Sequence, residues 1–300
     1  MNIFLTNEGR LRAIWRIVLV VGVILAANIL AARLASYAAD NKPLRFEAIY
    51  RPVLMLLLIS GYVLLLITLD KVKRRYFAAI GLGRRRWLRD SALGAGVGAG
   101  MVTAAVGVIA SLGSVRFHIK VDEGTLRVLL VETWVLLTAA MAEELMFRGY
   151  PFQRLVKAVG AWGAIAIFSG LFGAVHAGNP HASVWGFLNT IFIGILLSLA
   201  YLRTRALWLP WGIHFGWNAM LGVGFGLPVS GLTEFAVMVK GTARGPQWLT
   251  GGSYGIEASA TGALVILLGF IPVLALRARA EEQAQQPFQA ASNSGEQQIN

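Results

Sequence analysis

Ala142-Glu143-Glu144-Leu145-Met146-Phe147-Arg148 sets two adjacent carboxylates and an arginine in a chain that is otherwise mostly hydrocarbon. Charged side chains inside a bilayer cost on the order of a few kcal/mol each, so by default they point to function and need partners. On a helix, Glu144 and Arg148 are i,i+4 neighbours and can neutralise each other. Glu143 is rotated about 100° from Glu144 and must find something else.

Outward from that stretch, 56% of the 300 residues are hydrophobic, 14% are charged and the mean hydropathy is +0.63. The apolar residues arrive in long runs, as in membrane helices rather than soluble domains. Eight segments are predicted, at about Ile14–Ala35, Pro52–Leu69, Ser91–Val115, Val128 to beyond Ala142, Ala158–Val175, Ala182–Leu202, Ala206–Phe225 and Ala258–Leu276. The predicted fold is therefore all-α: a multi-pass transmembrane helical bundle of about eight spans around an intramembrane polar cavity. It occupies residues 1–280, and residues 281–300, rich in Gln, Ser and Ala, are expected to be a disordered cytoplasmic tail. The first segment has no Ala-x-Ala cleavage pattern and reads as an uncleaved span. The third carries Gly94/Gly98 and Gly96/Gly100, at the spacing that lets membrane helices approach closely.

The chain holds no cysteine, which excludes disulfides, thiolate zinc sites and a cysteine nucleophile. Its net charge of +12 peaks in the 71–89 loop at Lys71, Lys73, Arg74, Arg75, Arg84, Arg85, Arg86 and Arg89. Lying between two apolar segments, this cluster fits a cytoplasmic loop against anionic lipid rather than a nucleic-acid site. With the amino terminus inside, the inner regions hold 18 of the 27 Lys and Arg. That bias predicts both termini in the cytoplasm and residence in the cell inner (plasma) membrane.

Four i,i+4 pairs lie on apolar helices: Glu143/Phe147, Glu144/Arg148, Phe172/His176 and His214/Asn218. If the fourth helix continues to Arg154 and Lys157, Glu143 lies about 21 Å from the basic end at 1.5 Å per residue. His176 lies about 22 Å from the same side and His214 about 14 Å, with Asn218 one turn deeper. Pro151 should kink the extended helix. Glu143, His176, His214 and Asn218 are thus expected at comparable depth. Desolvation favours proton uptake by a carboxylate, which suits Glu143 as a general base on water. An imidazole can share that proton, while a second His and an Asn supply donors for a developing oxyanion. Together they suit amide hydrolysis without a covalent nucleophile. His118 and His181 fall in predicted loops without a role, and Glu132 is expected to be interfacial.

At these residues the chain resembles the intramembrane glutamic endopeptidases of the CPBP/Abi group, relatives of the type II CAAX prenyl endopeptidases. The group's signatures are Glu-Glu-x-x-x-Arg, Phe-x-x-x-His and His-x-x-x-Asn, and they match Glu143–Arg148, Phe172–His176 and His214–Asn218. The match spans about Trp134–Leu221. The resemblance implies that Glu143 activates water with His176 beside it, and that His214 and Asn218 form the oxyanion site. It also implies that Glu144 and Arg148 hold Glu143 in place, with no cofactor. Phe172 belongs to the second signature. The implied cavity opens toward bilayer and cytosol. The substrate would be a membrane-associated peptide or protein, with lipidation unspecified. Two other readings use the same residues. One is a zinc-dependent hydrolase with Glu143, His176 and His214 as ligands. The other is a non-enzymatic membrane protein that binds or transports a peptide, or confers immunity.

Overall fold

A computed structural model describes residues 13–72 and 74–276. The expected tail at 281–300 lies outside the described residues. Among them, eight helices of ten residues or more follow in order. They are α1 (Ala13–Ala39), α2 (Pro43–Thr68), α3 (Trp87–Ser111), α4 (Thr125–Arg148), α5 (Tyr150–His176), α6 (Val184–Thr204), α7 (Trp208–Ala219) and α8 (Ala260–Ala275). The helical membrane bundle read from the apolar runs is the observed class. Among the described residues, five stretches are long and apolar enough to cross a bilayer: Trp15–Ala39, Arg45–Thr68, Trp87–Ser111, Thr125–His176 and Val184–Thr204. The last two expected spans are shorter as helices, 12 residues in α7 and 16 in α8. Outward-facing positions stay apolar, among them Leu25, Ile29, Leu64, Trp162 and Ile271, as a lipid-facing surface requires.

The all-α expectation needs one addition. Strands β1 (Val115–Ile119) and β2 (Val239–Ala243) form an antiparallel pair in which Val115 faces Ala243 and Ile119 faces Val239. His118, expected in a loop, lies on β1 opposite Lys240. Near the start of α4, Asp122 accepts a hydrogen bond from Thr125 Oγ1 at 2.7 Å. That bond, with Lys120 beside it, holds the Asp122 carboxyl below the ordinary carboxylate range.

How the chain passes from α4 to α5 decides where the acids lie. The helix breaks at Gly149, two residues before Pro151, which occupies the first turn of α5. Proline lacks the N–H that would continue the α4 ladder and is tolerated where a new helix begins. A Cβ at Gly149 would come 2.4 Å from the Leu145 carbonyl oxygen, so the break falls at a residue without a side chain. The reversal comes later, at Gly160, whose φ of +80° and ψ of 170° suit glycine alone. Glu143 with His176, Phe147 with Phe172, and Phe152 with Phe168 all meet nearly symmetrically about that residue. The chain therefore runs on past Arg148 before folding back, and Glu143 remains deep rather than at the end of a helix.

A second approach places His214. Helices α3 and α7 run parallel with backbones in contact, because Gly94 and Gly98 face Gly212 and Gly216. A Cβ at Gly98 would lie 2.1 Å from the Ile213 carbonyl oxygen, and one at Gly216 would lie 2.3 Å from that of Ala95. The other expected pair, Gly96 and Gly100, has nothing within 4 Å of an added Cβ. One glycine pair makes the seam, and the other is on an open face.

Candidate active site

Glu144 and Arg148 are both fully buried, and Arg148 Nη1 donates to Glu144 Oε1 at 3.1 Å. Arg148 Nη2 donates to the Gly194 carbonyl at 3.2 Å, and its guanidinium carbon sits 4.5 Å from the Phe172 ring centre. The same Glu144 oxygen accepts from His214 Nδ1 at 2.9 Å. Since a carboxylate only accepts, this bond places a proton on Nδ1 and turns Nε2 toward the cavity. Glu144 thus bonds to His214, with Arg148 bonded to Glu144 behind it, whereas the resemblance implied that the pair holds Glu143.

Glu143 lines the cavity, its side chain one-fifth exposed. Its Oε2 lies 3.9 Å from His176 Nε2 and 3.8 Å from His214 Nε2, and takes no hydrogen bond from the described residues. These separations exceed a direct hydrogen bond but suit one bridging water. His176 Nδ1 donates to the Phe172 carbonyl at 2.8 Å, and the two rings are 4.4 Å apart. The four-residue spacing of Phe and His therefore has a local cause: the last turn of α5 orients the imidazole and leaves Nε2 toward Glu143. Asn218, one turn beyond His214, lines the same cavity with Glu143 and His176. The structure brings together Glu143, His176, His214 and Asn218, with Glu144, Arg148 and Phe172 packed behind. Among the described residues no three His, Asp or Glu side chains stand at metal-ligand spacing.

Two spaces meet here. A hollow of about 40 Å³, enough for one or two waters, is lined by His176, His214, Asn218, Trp217, Ser230 and Glu257. A larger cavity of about 470 Å³ runs from Glu143 along one face of α4 to Glu132. Its mouth, at Pro43, Glu47 and Glu234, lies at the end of the bundle away from Ala13 and Ala275. The described ends of the bundle, Ala13 and Ala275, and the cavity mouth therefore lie on opposite sides of it.

Sequence reasoning missed Glu257, whose Oε1 accepts from Trp217 Nε1 at 3.1 Å. Its Oε2 accepts from the Ser230 backbone N–H and from Ser230 Oγ, the latter at 3.1 Å. Glu257 belongs to a 3-10 turn just before α8. The available signal was its isolation: no other Asp or Glu occurs between Glu234 and Glu281. Glu132, expected to be interfacial, is instead 4% exposed. It sits on the cavity face of α4, three turns from Glu143.

Residues 125–220 match the family described as Rce1-like, type II CAAX prenyl endopeptidase Rce1-like. Over this stretch the chain is similar to the Rce1-like family. The Rce1-like core begins at the first residue of α4 and ends just after α7, so it contains all three signatures. The protein is a membrane peptide hydrolase of the CAAX-protease type. No curated protein and no solved structure matches the chain. Helices α1, α2, α3 and α8, and with them the Glu47, Arg51 and Glu257 walls of the cavities, lie outside the Rce1-like core.

Proposed function

We propose that the protein hydrolyses a peptide bond of a membrane-associated peptide or protein, with Glu143 as general base and without a metal. The observation that supports this most is the Glu143 carboxylate facing two imidazole Nε2 atoms at one-water spacing. A water in that gap gives a proton to Glu143 as its oxygen attacks the scissile carbonyl carbon. The carbonyl π pair moves onto oxygen, where protonated His214, through Nε2–H, and the Asn218 amide donate hydrogen bonds. On collapse the C–N bond breaks, and the proton held by Glu143 passes to the departing amine, with His176 Nε2 beside the path. Glu144 and Arg148 orient His214 and supply its anionic partner. Substrate lipidation is not part of the proposal.

The test compares membrane peptidomes from cells expressing the wild-type chain or Glu143→Gln, with a metal chelator as a third arm. Products absent from Glu143→Gln and unchanged by chelation are expected. Products that survive Glu143→Gln contradict the base, and products lost on chelation favour the zinc reading.

The Lys and Arg bias supports cytoplasmic termini in the plasma membrane, with the basic 71–89 loop against anionic lipid. In that orientation the cavity mouth faces the opposite side. A cysteine-free chain makes this direct to check. On intact cells an impermeant maleimide should label Glu234→Cys and spare Arg85→Cys; the reverse pattern overturns the orientation.

A further inference from the structure

The larger cavity carries more acid than its own cations balance. Glu47 is paired with Arg51, Oε2 to Nε at 2.8 Å. Glu132 is 4% exposed, lines the cavity and meets no donor or cation among the described residues. Among the described residues Glu234, at the mouth, accepts only the Thr233 backbone N–H, at 3.0 Å. Around them the wall is apolar, with Val135, Leu136, Val229 and Phe235. A buried carboxylate without a counter-charge is unfavourable in the empty protein, and a cation entering the cavity relieves it.

Position sharpens the ligand. Glu132 and Glu143 are 11 residues apart on one face of α4, about 16 Å along the axis at 1.5 Å per residue. An extended peptide advances about 3.3 Å per residue, so that distance spans about five residues. We propose that the cavity is a substrate subsite, in which Glu132, with Glu234 at the mouth, receives a lysine or arginine about five residues from the scissile bond. This rests on Glu143 being the centre of hydrolysis. The chemistry recognised is a cationic side chain within an otherwise apolar segment, as the wall composition requires.

The experiment digests a library of membrane-inserting peptides, each with one Lys at a varied position, using the full-length protein in lipid nanodiscs. Cleaved bonds should be enriched for Lys about five residues away on one side, by about ten-fold over Ala in kcat/KM and chiefly through KM. In Glu132→Gln the Lys-to-Ala ratio should fall to near one, and in Glu132→Lys it should invert in favour of Glu. Glu143-dependent cleavage without a Lys preference at that spacing, or with one that survives Glu132→Gln, overturns the subsite alone. Absence of any Glu143-dependent cleavage removes the catalytic reading and the subsite with it. Melting of the peptide-free protein adds a readout independent of turnover. Glu132→Gln should melt higher than wild type, and a lower melting point means Glu132 has a structural partner, which contradicts the proposal.

Discussion

Two neighbouring carboxylates occupy opposite environments on the two faces of α4. Glu144 faces a closed, dry region in which one oxygen is held by Arg148 and His214 and neither side chain of the ion pair reaches solvent. Glu143 faces an open cavity, with its Oε2 left to two imidazoles slightly beyond bonding distance. One residue of helical rotation separates an acid bonded into the protein from one that faces the cavity. The dry side fixes a histidine, and the wet side leaves a gap where a water and a carbonyl can meet. Buried ion pairs contribute little net stability, yet removing one partner is costly because it strands the other. The two faces should therefore fail differently when altered.

The widest separation should come from Glu143→Gln, which removes the proposed base while keeping the shape. Turnover is expected to fall by about 10²–10⁴-fold, with a melting temperature in detergent that is unchanged or raised. A clear loss of stability would mean that Glu143 belongs to the dry side. Arg148→Ala should do the converse. Stranding Glu144 in a closed interior should cost about 3–5 kcal/mol of stability, visible as a lowered melting temperature. An unchanged melting point argues against a buried pair. Glu144→Gln keeps the shape but strands the buried Arg148 charge and takes the anionic partner from His214, so the melting temperature should fall along with turnover. A decrease of about ten- to a hundred-fold in kcat with little change in KM is expected.

The smallest effect concerns the seam that sets His214. Gly98→Ala drives a Cβ into the Ile213 backbone one residue before His214, whereas Gly96→Ala meets open space. Overpacking costs about 1–3 kcal/mol, so Gly98→Ala should melt lower and Gly96→Ala should match wild type. Equal melting of the two would remove the glycine seam as the device that places α7.

Much of this architecture is legible in the chain because membrane helices announce themselves by apolar run length, and polar residues within them stand out. Glu143, His176, His214 and Asn218 are conspicuous for that reason, and Lys157 with Pro151 anticipates a helix that continues past Arg148 with a kink. What stays hidden depends on rotation and contact. Nothing local to Glu144 says that its second bond goes to a histidine 70 residues away. The spacing rule treats Gly94/Gly98 and Gly96/Gly100 alike, and only the partner surface, Gly212 and Gly216, distinguishes them. Glu132 reads as interfacial because it lies near a segment end, but the 229–235 segment of the α7–α8 loop lines the cavity beside it. Glu257 arrives through the same loop, where hydropathy carries no signal.

Direct attack by water is the step on which the rest depends, and isotopic labelling reads it. A single turnover of excess enzyme on a cleavable membrane peptide in H₂¹⁸O should place one ¹⁸O in every newly formed carboxylate and leave Glu143 unlabelled. First-turnover product carrying only ¹⁶O, with ¹⁸O appearing in Glu143, would mean that the carboxylate attacks the peptide itself and would contradict general-base hydrolysis.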